Sequence, residues 1–136
     1  MSTRSKARKA ALDLLYEGDI RRSSASELLN RRVTDLEYVI RDFTKELIDG
    51  VEAHRRKIDE LITTYSQGWD MDRMPVIDRN ILRLAIYEVL WSESVPVSVA
   101  INEAIELAQT LSTEDSSKYI NGVLSKVVEI KPDLVL

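Results

Sequence analysis

The sequence of 136 residues predicts a mostly helical, all-α protein. Its four glycines and three prolines are too few turn signals for a multi-stranded β protein. Its apolar residues recur instead at the i, i+4, i+7 and i+8 spacing of buried helical stripes. The length fits a single domain over residues 1–136, because domains commonly run to roughly 100–200 residues.

Two helices are predicted at the N-terminus. The first runs from about Thr3 to Ile20. The second starts at Ser24, because Ser24 and Glu27 have the Ser-x-x-Glu spacing of a capping box, and it ends near Arg31. The buried stripe of the first helix consists of Ala7, Ala11, Leu14 and Leu15.

The segment from Leu36 to Gln67 predicts two helices, or one bent helix, with the joint between Gly50 and His54. Two apolar stripes flank this joint: Val39, Phe43, Leu47 and Ile48 before it, and Ile58, Leu61, Ile62 and Tyr65 after it. His54 is the only histidine and is followed by three cations. We expect it to face solvent.

Prolines bound the remaining helices. Pro75 suits the first turn of a helix, and the wide apolar face that follows predicts the central buried helix. Pro96 precedes another amphipathic helix, whose outer face carries Asn102, Glu103, Glu106 and Gln109. The last helix has a stripe of Ile120, Val123, Leu124, Val127 and Val128, and Pro132 closes it.

The sequence lacks the residues that several kinds of catalytic and metal-binding site require. The chain has no cysteine, one histidine, no glycine-rich phosphate loop and no Gly-x-Ser-x-Gly nucleophile turn. We therefore expect no enzyme, no metal site and no cofactor. No apolar run approaches the ~20 residues of a membrane span, and the basic N-terminus lacks the apolar segment of a secretory signal. The expected location is the cytoplasm.

Charge is unevenly distributed. The first nine residues carry four cations and no acid, so the net charge of −4 leaves −8 for the remaining chain. No lysine or arginine occurs between Leu84 and Ser117, where six acids lie. A basic end on an acidic body suggests two partners of opposite charge, although a solubilising tail on an acidic domain gives the same pattern.

The first helix offers a candidate surface for single-stranded RNA. Its cations would neutralise phosphates and Tyr16 would stack a base. The alternative places Tyr16 at the edge of the core with its hydroxyl in water. The basic residues concerned are Arg4, Arg8 and Lys9.

The last helix offers a second candidate surface. Tyr119 lies off the apolar stripe, and Asn121 could read a base edge. Asp115 could cap this helix or modulate RNA binding as a nearby negative charge. Gly122 costs about 1 kcal/mol relative to alanine in a helix, and a close helix contact is the simplest reason for it.

Three segments resemble the NusB family of bacterial transcription antitermination factors. They are VIDRNILRLAIYE at residues 76–88, VAINEAIELA at 99–108 and EDSSKYINGVL at 114–124. The basic N-terminus with Ala10, Leu14, Leu15 and Tyr16 resembles the first helix of that family. The similarity extends over essentially the whole chain, although residues 21–70 match mainly in pattern.

This resemblance implies about seven helices in two small packed bundles. It implies binding to single-stranded boxA RNA of ribosomal RNA leaders together with the ribosomal protein NusE. The pair would join the antitermination complex on elongating RNA polymerase and support ribosomal RNA synthesis and maturation. Some members of the family self-associate, so a homodimer stays open. The alternative function is a helical protein–protein adaptor that binds no RNA.

The resemblance also implies roles for particular residues. The RNA contacts would be Arg4, Lys6, Arg8, Lys9, Tyr16, Lys118, Tyr119 and Asn121. The protein-contact surface would involve the helix beginning near Pro75, where Asp78 keeps an acid. Asp72 and Asp78 belong to the acidic body that suits a basic ribosomal protein.

Overall fold

The computed structural model describes residues 2–35 and 38–136, and this part of the chain forms seven α-helices, one short 3-10 helix and no strand. The all-α prediction is confirmed. Among the described helices, none combines the length and apolar character that a membrane span requires. The helices are α1 (Thr3–Arg21), α2 (Ala25–Arg32), α3 (Asp42–Ala53), α4 (Arg55–Tyr65), α5 (Val76–Trp91), α6 (Val97–Leu111) and α7 (Glu114–Ile130), with the 3-10 helix at Lys131–Asp133.

Side-chain caps fix the start of three helices. Ser2 caps α1, Ser24 caps α2 and Thr113 caps α7, each accepting a hydrogen bond of 3.0 Å from a backbone N–H three residues later. The predicted cap at Ser24 is confirmed. α7 is capped by Thr113, so the alternative that Asp115 caps this helix is wrong.

The predicted joint in the middle of the chain lies at His54, between the end of α3 and the start of α4. His54 is only partly exposed, and not simply solvent-facing as expected, because its ring stacks on Trp91 with centroids 4.0 Å apart. Val39 lies outside α3 and is exposed rather than buried. Leu36, where this segment was predicted to begin, lies outside the described residues.

α5 is the central helix, as its wide apolar face predicts. Every residue from Asn80 to Leu90 is buried. α1 and α3 pack on α5 and on each other, and α2 packs on α1 and α3. α4, α6 and α7 form the other group of helices around α5. Burying each large aliphatic side chain in this helix contributes about 1.5–3 kcal/mol, which makes α5 the common support of both groups.

α6 packs through small residues. Its only fully buried residues are Ala100, Ala104 and Ala108, and these lie four residues apart. Alanines let neighbouring helices approach closely, and α6 packs against both α5 and α7. Leu111, at the end of α6, is 37% exposed.

A cluster of polar side chains around Asp19 joins α1 to α4 and α5. The Asp19 carboxylate accepts hydrogen bonds of 2.7–3.0 Å from four side chains, which are Arg55, Arg79, Asn80 and Arg83. Burial opposes ionisation, but the hydrogen bond from Asn80 and the charges of Arg83 and Arg79 hold the pKa of Asp19 at about 2. The carboxylate is therefore ionised at neutral pH.

Candidate RNA-binding and partner surfaces

The basic start of α1 is only partly available to a ligand. Arg4 and Lys6 are exposed. The Arg4 guanidinium lies 4.6 Å from the ring centroid of Phe43 and donates a hydrogen bond to the backbone oxygen of Ser94. Lys9 forms an ion pair with Asp13 at 2.7 Å. Lys6 is thus the cation of this group with the most freedom to meet a phosphate.

Arg8 is not a surface cation, and its predicted exposure is wrong. The residue is 2% exposed, and its Nε donates hydrogen bonds of 3.0 Å to both carboxylate oxygens of Glu88 on α5. A guanidinium nitrogen lies 3.7 Å from Glu103 on α6. Arg8 lines the same small internal space as Ala100 and Ala104, whose short side chains leave room for it. It joins α1 to α5 and α6 instead of contacting RNA.

The partner of Arg8 is itself an acid inside the protein. Burial raises the pKa of Glu88, while the hydrogen bond and charge of Arg8 oppose that rise. Taking either residue away would leave an uncompensated polar group in the core. The pair is therefore a structural element of the fold.

Tyr16 lies at the edge of the core and is 41% exposed. Its ring lines an open groove of about 390 Å³ between α1, the start of α5 and the end of α6. The other lining residues are Asp13, Pro75, Val76, Ile77 and Leu111. Tyr16 is twelve residues beyond Arg4, which corresponds to roughly 18 Å along a straight helix. The structure thus associates Tyr16 with the start of α5 and separates it from Arg4 and Lys6.

The two acids predicted to meet a protein partner differ in exposure. Asp72 is exposed in the loop before α5. Asp78 is 0% exposed, and neither of its oxygens has a hydrogen-bond partner among the described residues. The buried face of α5 extends into its first turn, which is why Asp78 is not a surface charge as predicted. It directly follows Ile77 of the groove.

Three of the candidate residues of α7 lie on its exposed side. Lys118 has 73% of its side chain exposed, and its nearest acid is Glu114 at 3.9 Å. Asn121 and Asp115 are also exposed. This arrangement leaves the ammonium group of Lys118 and the amide of Asn121 free to contact a ligand.

Tyr119 is more enclosed than its position off the apolar stripe suggests. Its ring meets Trp69 in an edge-to-face contact with centroids 4.6 Å apart, and burial raises the pKa of its hydroxyl. Trp69 lines an open cleft of about 580 Å³ that the loop between α4 and α5 forms with the end of α4. Sequence reasoning missed Trp69, because its loop shows no helical spacing and lies fifty residues from Tyr119.

The structure contradicts the role that the sequence predicts for Gly122. Nothing lies within 4 Å of the position that a Cβ atom would take at this residue. No neighbouring helix approaches it, so the expected close helix contact is wrong.

The structure divides the predicted RNA residues between two helices. α1 packs on α3 and α5, whereas α7 packs on α6 and α5. Arg4, Lys6 and Lys9 therefore belong to one group, and Lys118, Tyr119 and Asn121 to the other. In the described part of the chain, no three acidic or histidine side chains are placed to hold a metal ion.

These features define an all-helical protein with two exposed polar surfaces and one apolar groove, and three comparisons identify its family. The NusB family profile matches residues 5–129. The transcription antitermination protein NusB of Thermobifida fusca is 48% identical over 134 residues, which are 98% of this chain and 94% of that protein. The chain belongs to the NusB family.

Solved structures agree in fold. NusB of T. maritima has 33% identity and a TM-score of 0.82, covering 98% of this chain and 99% of that one. A NusB chain in a complex of antitermination factors NusB and NusE with dsRNA has 27% identity and a TM-score of 0.79, covering 94% of this chain and 98% of that one.

Proposed function

We propose that this protein is a transcription antitermination factor that binds boxA RNA of ribosomal RNA leaders together with the ribosomal protein NusE. The bound pair acts on elongating RNA polymerase in the cytoplasm and supports ribosomal RNA synthesis and maturation. Family membership over nearly the whole chain supports this role, as does the likeness to a NusB that was solved with NusE and dsRNA. The role requires binding surfaces and no catalytic group.

The RNA surface consists of the exposed groups on α1 and α7. Arg4 and Lys6 supply cations from α1, and Lys118 and Asn121 supply a cation and an amide from α7. Cations neutralise phosphates, whereas an amide reads base edges. The exposure of Lys6 and Lys118 is the observation that carries this assignment. Arg8 is instead buried against Glu88 and Lys9 pairs with Asp13 at 2.7 Å, whereas the acid beside Lys118 is itself exposed and 3.9 Å away.

The cleft beside α7 supplies the aromatic component. Trp69 lines the cleft and its ring contacts that of Tyr119 on α7, and Lys118 precedes Tyr119 in the chain. Stacking of a base on an aromatic ring is worth roughly 1–3 kcal/mol in single-stranded complexes. The polar walls of the cleft, which include Ser66 and Gln67, provide hydrogen-bonding groups for a base.

The groove at Tyr16 is the proposed NusE surface. Tyr16, Ile77 and Leu111 give it an apolar floor and an aromatic ring, the side chains that carry most binding energy at protein interfaces. Asp13 lines the groove and Asp72 is exposed in the loop before α5. These acids complement a basic ribosomal protein and speed its association.

Binding of boxA RNA with and without NusE tests the proposal. We expect the protein to bind a single-stranded boxA oligonucleotide with a shallow salt dependence, because few phosphates are contacted. Adding NusE should raise the affinity, since two partial RNA surfaces are then combined. Equal boxA affinity with and without NusE would contradict joint recognition. Binding of NusE without any RNA binding would identify a protein–protein adaptor instead.

A further inference from the structure

Three of the four glycines are required by the fold itself. A Cβ atom on Gly18 would lie 2.7 Å from the backbone oxygen of Ser23, and one on Gly50 would overlap the ring of Tyr87. Gly68 has a φ of +75°, a conformation that residues with side chains rarely adopt. Each of these positions therefore has an internal reason to lack a side chain.

Gly122 has no such reason. It lies in the middle of α7, eight residues from Glu114 and eight from Ile130, so it plays no part in capping either end. Its φ is not positive, and the space around it is open. A glycine inside a helix lowers stability relative to alanine, and an alanine would fit here without any clash. The described structure therefore gives no internal reason for a glycine at this position.

The side chains around Gly122 indicate what lies against it. Residues four apart on a helix are neighbours on its surface, so Lys118 and Lys126 flank Gly122 on one exposed ridge. Their nearest acids, Glu114 at 3.9 Å and Glu129 at 3.5 Å, are exposed, and such pairs are easily exchanged for another anion. Asn121 is exposed beside the glycine. A bare stretch of helix between two lysines is suited to a polyanion.

We propose that the RNA backbone crosses α7 over Gly122, between Lys118 and Lys126. The missing Cβ lets the sugar–phosphate chain lie against the helix, while the two ammonium groups contact phosphates on either side. This inference rests on the proposed function, because it assumes that the ligand at Lys118 is RNA. It adds Gly122 and Lys126 to the residues that contact RNA.

Replacing Gly122 separates stability from binding. Gly122→Ala should raise the melting temperature by about 4 °C, because alanine favours the helix. The same variant should bind single-stranded boxA RNA roughly tenfold more weakly, and Gly122→Leu more weakly still. Asn30→Ala on α2 is the matched control, since it also raises helix propensity at an exposed site. Its RNA affinity should equal that of the wild type.

The remaining outcomes overturn the inference in distinguishable ways. If Gly122→Ala binds RNA normally while Lys118→Ala does not, RNA reaches α7 without crossing the glycine, and the inference alone is wrong. If both variants bind RNA normally, α7 does not contact RNA, and the proposed RNA surface on α7 is wrong as well. If Gly122→Ala loses only NusE binding, the face belongs to a protein partner.

Discussion

The cations of α1 and of α7 differ in how far contacts within the fold engage them. α1 begins with four cations, but Arg8 is buried, Arg4 lies on Phe43 and Lys9 pairs with Asp13. On α7, Lys118 is exposed, and the acid it pairs with, Glu114, is itself exposed and 3.9 Å away. The number of cations in a segment therefore overstates the charge available to RNA, because contacts between packed helices use some of them.

The largest expected effect separates Arg8 from the surface cations. Arg8→Ala should lower the free energy of unfolding by about 3–5 kcal/mol, because it leaves the Glu88 carboxylate buried without a partner. Urea unfolding measures this loss. Lys6→Ala is the matched control from the same basic segment, and it should change stability by less than about 0.5 kcal/mol. A fully stable Arg8→Ala protein with weakened RNA binding would return Arg8 to the RNA surface.

A second prediction compares the groove at Tyr16 with the RNA surface on α1 and α7, and asks which partner each one binds. Tyr16→Ala should weaken NusE binding by about 2 kcal/mol, because aromatic side chains that fill grooves dominate interface energies. The affinity for RNA measured without NusE should not change. Titration calorimetry with each partner checks both statements. Loss of RNA affinity with NusE binding intact would instead show that Tyr16 stacks a base.

Acid titration tests how much the ion pairs between Asp19 and its arginine partners stabilise the fold. The pKa of Asp19 is about 2 in the folded protein, below its ordinary value of 3.8. Its stabilisation is therefore complete above about pH 4 and is lost as pH falls toward 2. Asp19→Asn should lower the free energy of unfolding at pH 7 by about 1–2 kcal/mol, after allowance for solvent screening. The variant should lose less stability than the wild type between pH 4 and pH 2. Identical pH profiles would show that protonation of Asp19 is not the cause of the loss of stability in acid.

The smallest effect concerns Asp115, an exposed acid in the first turn of α7, three residues before Lys118. Asp115→Asn should strengthen boxA binding by about 1 kcal/mol at low salt, because it removes a negative charge beside the proposed phosphate path. The gain should shrink as salt rises. Thr113 caps α7, so Asp115→Ala should behave like Asp115→Asn, with a helix loss of about 0.3–1 kcal/mol from the missing charge in the first turn. Weaker binding by Asp115→Asn would make Asp115 a contact residue.

Local signals in the sequence predicted the helices well. Ser24, Pro75 and Pro96 mark helix starts through backbone geometry that depends on a few neighbouring residues, and the structure places helices directly after them. The central position of α5 also followed from its own apolar face.

The functional surfaces were harder to predict, because they depend on contacts between distant segments. Arg8 and Lys6 belong to the same basic segment, and only the packing of Arg8 against Glu88, eighty residues later, distinguishes them. Asp78 was assigned to the surface because its burial depends on the helices around α5. Trp69 is a candidate RNA-binding residue because its ring contacts that of Tyr119, and no local sequence pattern relates these two residues.

The salt dependence of boxA binding by Lys6→Ala, Lys118→Ala and the double variant tests most directly whether RNA contacts both helices. Each lost phosphate contact lowers the slope of log affinity against log salt by about 0.7 for single-stranded RNA. We predict this decrease for each single variant and about twice that decrease for the double variant, because distant sites act additively. A slope unchanged by Lys118→Ala, with the double variant equal to Lys6→Ala, would contradict an RNA surface that includes α7.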